Sequence, residues 1–304
     1  MDNNWNRLLI GGRWKFGSSD SRIEVFNPYD EELLFSIQGA SVRDVDGAYR
    51  ASRTAQAEWA KRLPQEKAEI LERAASTMIR RKEEIINLLV KESGSTRLKA
   101  QIEWGAAYRM VKEAATFPFR MEGKILPSTT PGKENRVYRS PVGVVGVISP
   151  WNFPFHLGIR SIATALAAGN GVVVKPASET PVTGGLLIAD IMEEAGLPEG
   201  LLSAVVGNAS EIGDAFVTHP VPRIISFTGS TEVGGHVAQL AGKHLKKTEL
   251  ELGGNNALIV LDDADLEAAT ESAALGKFLH QGQICMAINR IIVDQRVYDD
   301  FIPL

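Results

Sequence analysis

From Ser41 to Lys61 the apolar and small positions Val45, Ala48, Ala51, Ala55 and Trp59 recur at helical spacing, which predicts an amphipathic helix. Pro64 opens a second helix at a favourable early position. Ile70, Leu71, Ala74, Ala75, Met78, Ile85, Leu88 and Leu89 give it one continuous apolar face, and Gly94 stops it. A third helix is expected around Leu98 to Thr116. Short β segments, Leu8 to Trp14 and Ile23 to Asn27, precede these helices. Between Glu122 and Ser140 the prolines, glycines and alternating apolar positions suit an exposed β-ribbon or connector; a plain surface loop fits equally well.

From Pro141 onward the pattern changes to strand, helix, strand, helix. Val142 to Ile148 is a nearly all-apolar run, followed by a helix from Phe155 to Ala168. Strands are then expected at Gly171 to Lys175, Leu201 to Val206, Arg223 to Phe227 and Lys247 to Leu252. Helices fall between them at Val182 to Ala195, Glu211 to Val217 and Thr231 to Ala241. Short β-branched runs alternating with helices predict an α/β fold with a parallel sheet covered on both faces. Ligands of such sheets sit beyond the carboxyl ends of the strands. That is where the chemically suggestive residues of this chain gather.

Composition narrows the classes. The chain has 304 residues, 44% apolar and 23% charged, with a net charge of -4. It is long enough for more than one domain. It offers no basic field for nucleic acid. One cysteine is present, so no intrachain disulfide can form. The first residues, Met1 to Gly12, lack the charged and apolar regions of a secretory signal, and no apolar run is long enough to span a bilayer. A soluble, cytoplasmic protein is the expectation.

The strand-end motifs carry the candidate chemistry. Ser149-Pro150-Trp151-Asn152-Phe153-Pro154 is stiffened by prolines, and the helix after it is expected to aim its first amides at a site. Asn152 offers a neutral donor for an anion that develops only during reaction. Lys175 ends the next strand, where an ammonium can hold hydroxyls or a phosphate; a surface lysine is the plainer alternative. Phe227-Thr228-Gly229-Ser230-Thr231-Glu232-Val233-Gly234-Gly235 places glycines at a strand-to-helix junction, where a pyrophosphate can approach backbone. Gly229 and Gly234 are spaced as in a P-loop, yet Gly235-His236 follows instead of Lys and Ser or Thr, which disfavours a nucleotide triphosphatase. Glu249 and Glu251 share one strand face before Gly253-Gly254, and a desolvated carboxylate there can act as a general base. Cys285, the lone thiol, follows His280-Gln281-Gly282-Gln283-Ile284. A thiolate is a strong nucleophile for a carbonyl carbon, whereas an inert core cysteine is the commoner case. The polar neighbours His280, Gln281 and Gln283 argue for the first. A Cys285–His280 dyad is disfavoured, because spacing along the chain does not establish reach.

In their order, Pro150 to Pro154, Lys175-Pro176, Phe227 to Gly234, Glu251 to Gly254 and Gly282 to Cys285 resemble the aldehyde dehydrogenase superfamily. The resemblance covers essentially the whole chain, and Glu251 to Val260 looks like the benzaldehyde or vanillin dehydrogenase branch. Asn255 stands where that superfamily more often has Lys. The resemblance implies a Rossmann-like cofactor sheet (residues 1–121 and 141–252), a ribbon used in oligomerisation (122–140) and the start of a second α/β catalytic domain (253–304). It implies that Cys285 is the nucleophile, that Asn152 and the Cys285 amide form the oxyanion hole, and that Glu251 activates the thiol or the deacylating water. Lys175 is implied both in catalysis and as a ribose contact. Cofactor contacts are implied for Ile148, Ser149, Pro150, Trp151, Lys175, Ser178, Gly207, Gly229, Ser230, Val233, Gly234 and Leu252. The cofactor is then NAD or NADP. Strongly NAD-preferring members carry a Glu where this chain has Ser178, so NADP should be tolerated. The implied substrate is an aldehyde, aromatic by branch, and the full-length form a homo-oligomer; neither nucleic acid nor membrane is implied as a partner.

Family members continue well past the equivalent of Leu304, so the chain is expected to be truncated after the cysteine. Two readings stand: an aldehyde dehydrogenase given as a fragment, or a truncated inactive product that at most binds a dinucleotide or a partner. A cofactor-independent thiol esterase using Cys285 and Glu251 is a third.

Overall fold

The computed structural model describes residues 5–304. Residues 1–4, part of the N-terminal stretch read for a secretory signal, lie outside them. No described helix is long and apolar enough to cross a membrane.

The alternating half of the chain builds a seven-stranded sheet in the order Lys247–Glu251, Pro222–Thr228, Val144–Ile148, Gly171–Lys175, Leu202–Ala204, Leu8–Ile10, Arg13–Lys15. The first five strands run parallel, and Leu8–Ile10 and its partner close the far edge antiparallel. The chain enters at Val144–Ile148, winds outward through Gly171–Lys175 and Leu202–Ala204, then returns to the other side for Pro222–Thr228. The order therefore reverses between Val144–Ile148 and Pro222–Thr228, which opens a crevice at their carboxyl ends. Register fixes its floor: Ile148 lies beside Phe227 on one side and Lys175 on the other.

Both faces are covered. Gly146 faces Tyr49 of helix Val42–Trp59 and Phe216, and a side chain in its place would come within 2.5 Å of the Tyr49 hydroxyl. Val145, next along the strand, faces the other way and shares a groove with Arg160, Ser161 and Thr164 of helix Pro154–Ala167. Successive strand side chains point to opposite faces, so an all-apolar strand buries both. Two of the large polar side chains inside this core are paired. The Tyr49 hydroxyl donates to the Phe216 carbonyl (3.0 Å) and the Trp59 indole to the Leu166 carbonyl (2.9 Å).

Several expectations need correction. The run from Pro64 to Gly94 is two helices, Pro64–Arg80 and Lys82–Ser93, with Arg81 out of helical geometry between them (φ -97, ψ 16). The Arg81 guanidinium bonds Glu84 (2.8 Å) and Asp190 (2.6 Å), so tertiary pairing breaks a helix whose apolar face stays continuous. Gly94 does end the second helix, in the left-handed conformation (φ 63). Leu33–Gln38 is a further strand, paired with Arg22–Phe26. The expected ribbon is a short hairpin of Lys124–Leu126 and Asn135–Val137. Val182 to Ala195 begins with a π turn, Val182–Leu186, before helix Leu187–Glu194. The fifth parallel strand, Lys247–Glu251, was expected to be buried; it is the edge of the sheet, and its alternate residues are exposed. Beyond it, within the residues 253–304 expected to start a second α/β unit, lie strand Asn256–Val260, helix Leu266–Phe278 and strand Ile288–Val293 parallel to the first, with Val260, Ala273 and Phe301 at their core.

Candidate active site

A cleft of about 590 Å³ lies at the carboxyl ends of the two strands where the order reverses. Four chain segments make most of its lining: Ile148 to Asn152, Phe227 to Ser230 with Val233, Leu252 to Gly254, and Gly282 to Cys285. Of the residues singled out from the sequence, Ile148, Ser149, Pro150, Trp151, Asn152, Gly229, Ser230, Val233, Leu252 and Cys285 share this one cleft.

Cys285 is an exposed free thiol, which excludes the inert core reading. Its loop is held from two directions. Asn152 Nδ2 donates to the Gln283 carbonyl (2.8 Å), and Asn256 Nδ2 donates to the Cys285 carbonyl (2.8 Å). Gly254 makes the close approach possible, since a side chain there would fall 2.4 Å from the Cys285 carbonyl oxygen. The turn before the thiol is left-handed at three successive residues, His280 (φ 51), Gln281 (φ 54) and Gly282 (φ 77). Such backbone persists in non-glycine residues only where surrounding structure enforces it. Asn152 Oδ1 accepts from the Phe153 amide (2.9 Å), so the side-chain amide is oriented. Among the described residues its second N–H and the Cys285 backbone N–H have no protein acceptor. Two donors are thus left free in the cleft that holds the thiol.

The helix after the Pro150 to Pro154 turn was expected to present its first amides to the site. It does not. The Phe155 and His156 amides donate to Glu103 Oε1 (2.9 and 3.2 Å), a buried carboxylate of helix Arg97–Ala114. Glu103 is paired in turn with Lys99, one helical turn earlier, and neither side chain has exposed surface. Burial pushes the Glu103 carboxyl up and pulls the Lys99 ammonium down, each opposed by the other's charge. Sequence reading missed both, because a Lys and a Glu four apart on a helix usually form a solvated surface pair.

His280 was read as a polar flank of the thiol, and it is buried at 1% exposure. Its ring packs edge-on against Phe153 (6.0 Å between centroids) and near Trp151 (6.2 Å), and neither nitrogen has a partner. Burial and the Lys99 charge lower its pKa to about 4, so it is neutral at physiological pH. With no bond to Cys285, it forms no dyad.

The helix Thr231–Lys243 starts in the cleft, with Ser230 as its cap (Oγ accepts from Val233 N, 3.3 Å). Side chains at Gly229 and Gly234 would come 2.5 Å from the Phe227 ring and 2.4 Å from Leu252, so both glycines leave the strand-to-helix backbone bare. Gly234 itself is buried under Leu252. Lys175 is buried at 5% exposure, with one 3.5 Å contact, to the Pro176 carbonyl, for its three donors. Burial lowers its pKa. A surface lysine is excluded. Bare backbone at a helix start and an underbonded ammonium at a strand end two strands away, just outside the cleft lining, fit a ligand with phosphates and hydroxyls. Ser178 is half-buried beyond Lys175, next to exposed Glu179. Gly207 is buried against Ala40 and Ile212, where a side chain would come within 3.0 Å, and it stands apart from the cleft.

Glu251 is also outside the cleft. Its carboxylate is exposed, lies 3.4 Å from the Arg160 guanidinium, and shares a groove with Ser161, Ser226 and Glu249. Edge-strand geometry explains the placement: Leu252 turns toward Cys285 and Glu251 the other way. The backbone of Glu251 still serves the site, accepting from the Gly229 amide (3.0 Å).

Residues 14–304 match the aldehyde dehydrogenase family. The chain belongs to that family. It is 56% identical over 299 residues to benzaldehyde dehydrogenase YfmT of Bacillus subtilis, an alignment covering 98% of this chain and 62% of that protein. To the vanillin dehydrogenase of Corynebacterium glutamicum it is 57% identical over 296 residues, covering 97% of this chain and 61% of the relative. The crystal structure of an NAD-dependent benzaldehyde dehydrogenase from Corynebacterium glutamicum superimposes with a TM-score of 0.95 at 56% identity, over 98% of this chain and 65% of that one. The chain thus spans about three fifths of the length of these curated aldehyde dehydrogenases.

Proposed function

We propose that this aldehyde dehydrogenase chain carries the nucleophile, the oxyanion donors and the dinucleotide cradle for oxidising an aldehyde to the acid with NAD or NADP. Aromatic aldehydes are the proposed substrates, by likeness to the benzaldehyde and vanillin dehydrogenases above. The observation that carries the reading is Asn152, hydrogen-bonded to the Cys285 loop within the cleft that also holds the bare Gly229 turn. Residues 1–121 and 141–252 are proposed as the cofactor domain, 122–140 as the ribbon that pairs subunits of a cytoplasmic homo-oligomer, and 253–304 as part of the catalytic domain.

The chemistry follows from the donors. The Cys285 thiolate attacks the carbonyl carbon, a C–S bond forms, and the oxygen becomes an alkoxide. Asn152 Nδ2 and the Cys285 amide receive that charge without reorganising, which is where preorganised donors act most strongly. The cradle of Gly229, Ser230, Val233, Trp151 and Lys175 would hold the dinucleotide, whose nicotinamide when bound supplies the hydride acceptor. The thioester left on Cys285 is then cleaved by water. Glu251 is proposed to take that water's proton, after its side chain leaves Arg160 and turns past Gly253. Glu251→Gln is therefore expected to slow acid release by about 10²-fold or more, within the usual range for losing a general base. A rapid first turnover of reduced cofactor should survive; equal loss of the first and later turnovers would remove Glu251 from this role.

The reading as a whole is tested by assaying the purified chain with aromatic and aliphatic aldehydes and each cofactor. Acid is expected from benzaldehyde-type substrates with both NAD and NADP, because Ser178 presents no charge against a 2′-phosphate. Dinucleotide binding without acid formation would instead support a binding role alone.

A further inference from the structure

The peptide between Asn152 and Phe153 is held at both ends. Its carbonyl accepts from Lys99 Nζ (2.6 Å), and its N–H donates to the Asn152 side-chain oxygen (2.9 Å). The other end of that same side chain donates to the Gln283 carbonyl, two residues before the thiol. The direction of the Asn152 amide is thus coupled to the plane of one peptide, and that plane is set by Lys99. Glu103 completes the grip. It holds the Lys99 ammonium and accepts the Phe155 and His156 amides, so the pair clasps the chain on both sides of Phe153. The Phe153 ring lies 4.2 Å from Lys99 Nζ, leaving the ammonium no room to swing.

Neither Lys99 nor Glu103 lines the cleft, so neither touches a substrate there. Stability alone is a weak reason for the pair, since well-packed apolar residues commonly replace buried ion pairs at no loss. Fixing an orientation is a better one. We propose that Lys99 and Glu103 are positioning residues that lock the Asn152–Phe153 peptide and so aim the Asn152 side-chain amide at the Cys285 loop. This rests on the reading of Asn152 as the alkoxide donor, and it adds two residues on a helix remote from the chemistry to the working site.

The test uses Lys99→Met, which keeps the stem and removes the donor, and the double variant Lys99→Met/Glu103→Gln. The double variant leaves no unpaired buried charge and keeps an acceptor for the Phe155 and His156 amides, so it should stay folded where the single one fails. Backbone 15N relaxation of the purified chain is measured at Asn152 and Phe153. We expect their order parameters to fall from about 0.85, typical of rigid backbone, to below about 0.6, while the sheet strands are unchanged. In a chain that turns over aldehyde, kcat should fall at least about tenfold with the cofactor Kd and KM within about twofold, since a misaimed group loses rate and not binding. Unchanged order parameters, or an unchanged kcat in an active chain, would overturn the proposal. Absence of turnover in the unmodified chain would count against the oxidation reading only, because the relaxation data decide the positioning role by themselves.

Discussion

Cys285→Ser is expected to lower aldehyde oxidation by roughly ten-thousand-fold or more while leaving dinucleotide affinity within about twofold, because the hydroxyl is a far weaker nucleophile in the same place. The separation of the two effects follows from geometry. The thiol belongs to the Gly282–Cys285 segment of the cleft lining, whereas the Gly229 turn and the start of helix Thr231–Lys243 form a separate segment. The serine is also nearly isosteric, so the Asn152 and Asn256 bonds to the loop carbonyls should persist. Appearance of reduced nicotinamide and fluorescence titration of the dinucleotide measure the two quantities. Since the chain has a single cysteine, one equivalent of a thiol alkylating reagent should reproduce the loss in the unmodified chain. Turnover surviving either treatment would eliminate the thioester route.

Asn152→Ala is expected to reduce kcat by about 10²- to 10³-fold, or about 3 kcal/mol of barrier, the range for deleting one oxyanion donor. KM for the aldehyde should change little, because the N–H meets charge that exists only after attack. A structural explanation would predict otherwise: losing the bond to the Gln283 carbonyl would merely loosen the thiol loop and raise KM with kcat. Asn152→Asp sharpens the distinction. It keeps the acceptor oxygen for the Phe153 amide but places a negative charge beside the developing alkoxide, so its kcat should fall below that of the alanine variant. Steady-state kinetics on the two variants settles the order, and a faster aspartate variant would exclude the donor role.

How far the site could be read in advance varied with the kind of interaction. The turn Ser149 to Pro154, the Gly229 junction and Leu252 to Gly254 were legible because strand ends and glycines announce themselves along the chain. That the strands run parallel follows from the same alternation, whereas their order, which brings these segments together, does not. Other features depended on partners distant in sequence. Glu103 meets the amides of Phe155 and His156, 52 and 53 residues away, and turns an expected anion site into a satisfied helix start. Asn256 reaches the Cys285 carbonyl across 29 residues, and nothing local marks it apart from its neighbour Asn255. His280 has a polar side chain inside an apolar wall, against every local expectation for that residue type.

The chain by itself determined the class of fold and the segments that line the cleft, because periodicity and glycine act over a few residues, and its single cysteine marked the one thiol that the cleft could hold. Tertiary structure decided which charges are free. It buried Lys99, Glu103 and Lys175, turned Glu251 outward to Arg160, and made the sheet end where an interior strand was expected. The physical reason is that burial and pairing depend on what packs from other elements, and a side chain's ionisation and reach depend on burial and pairing.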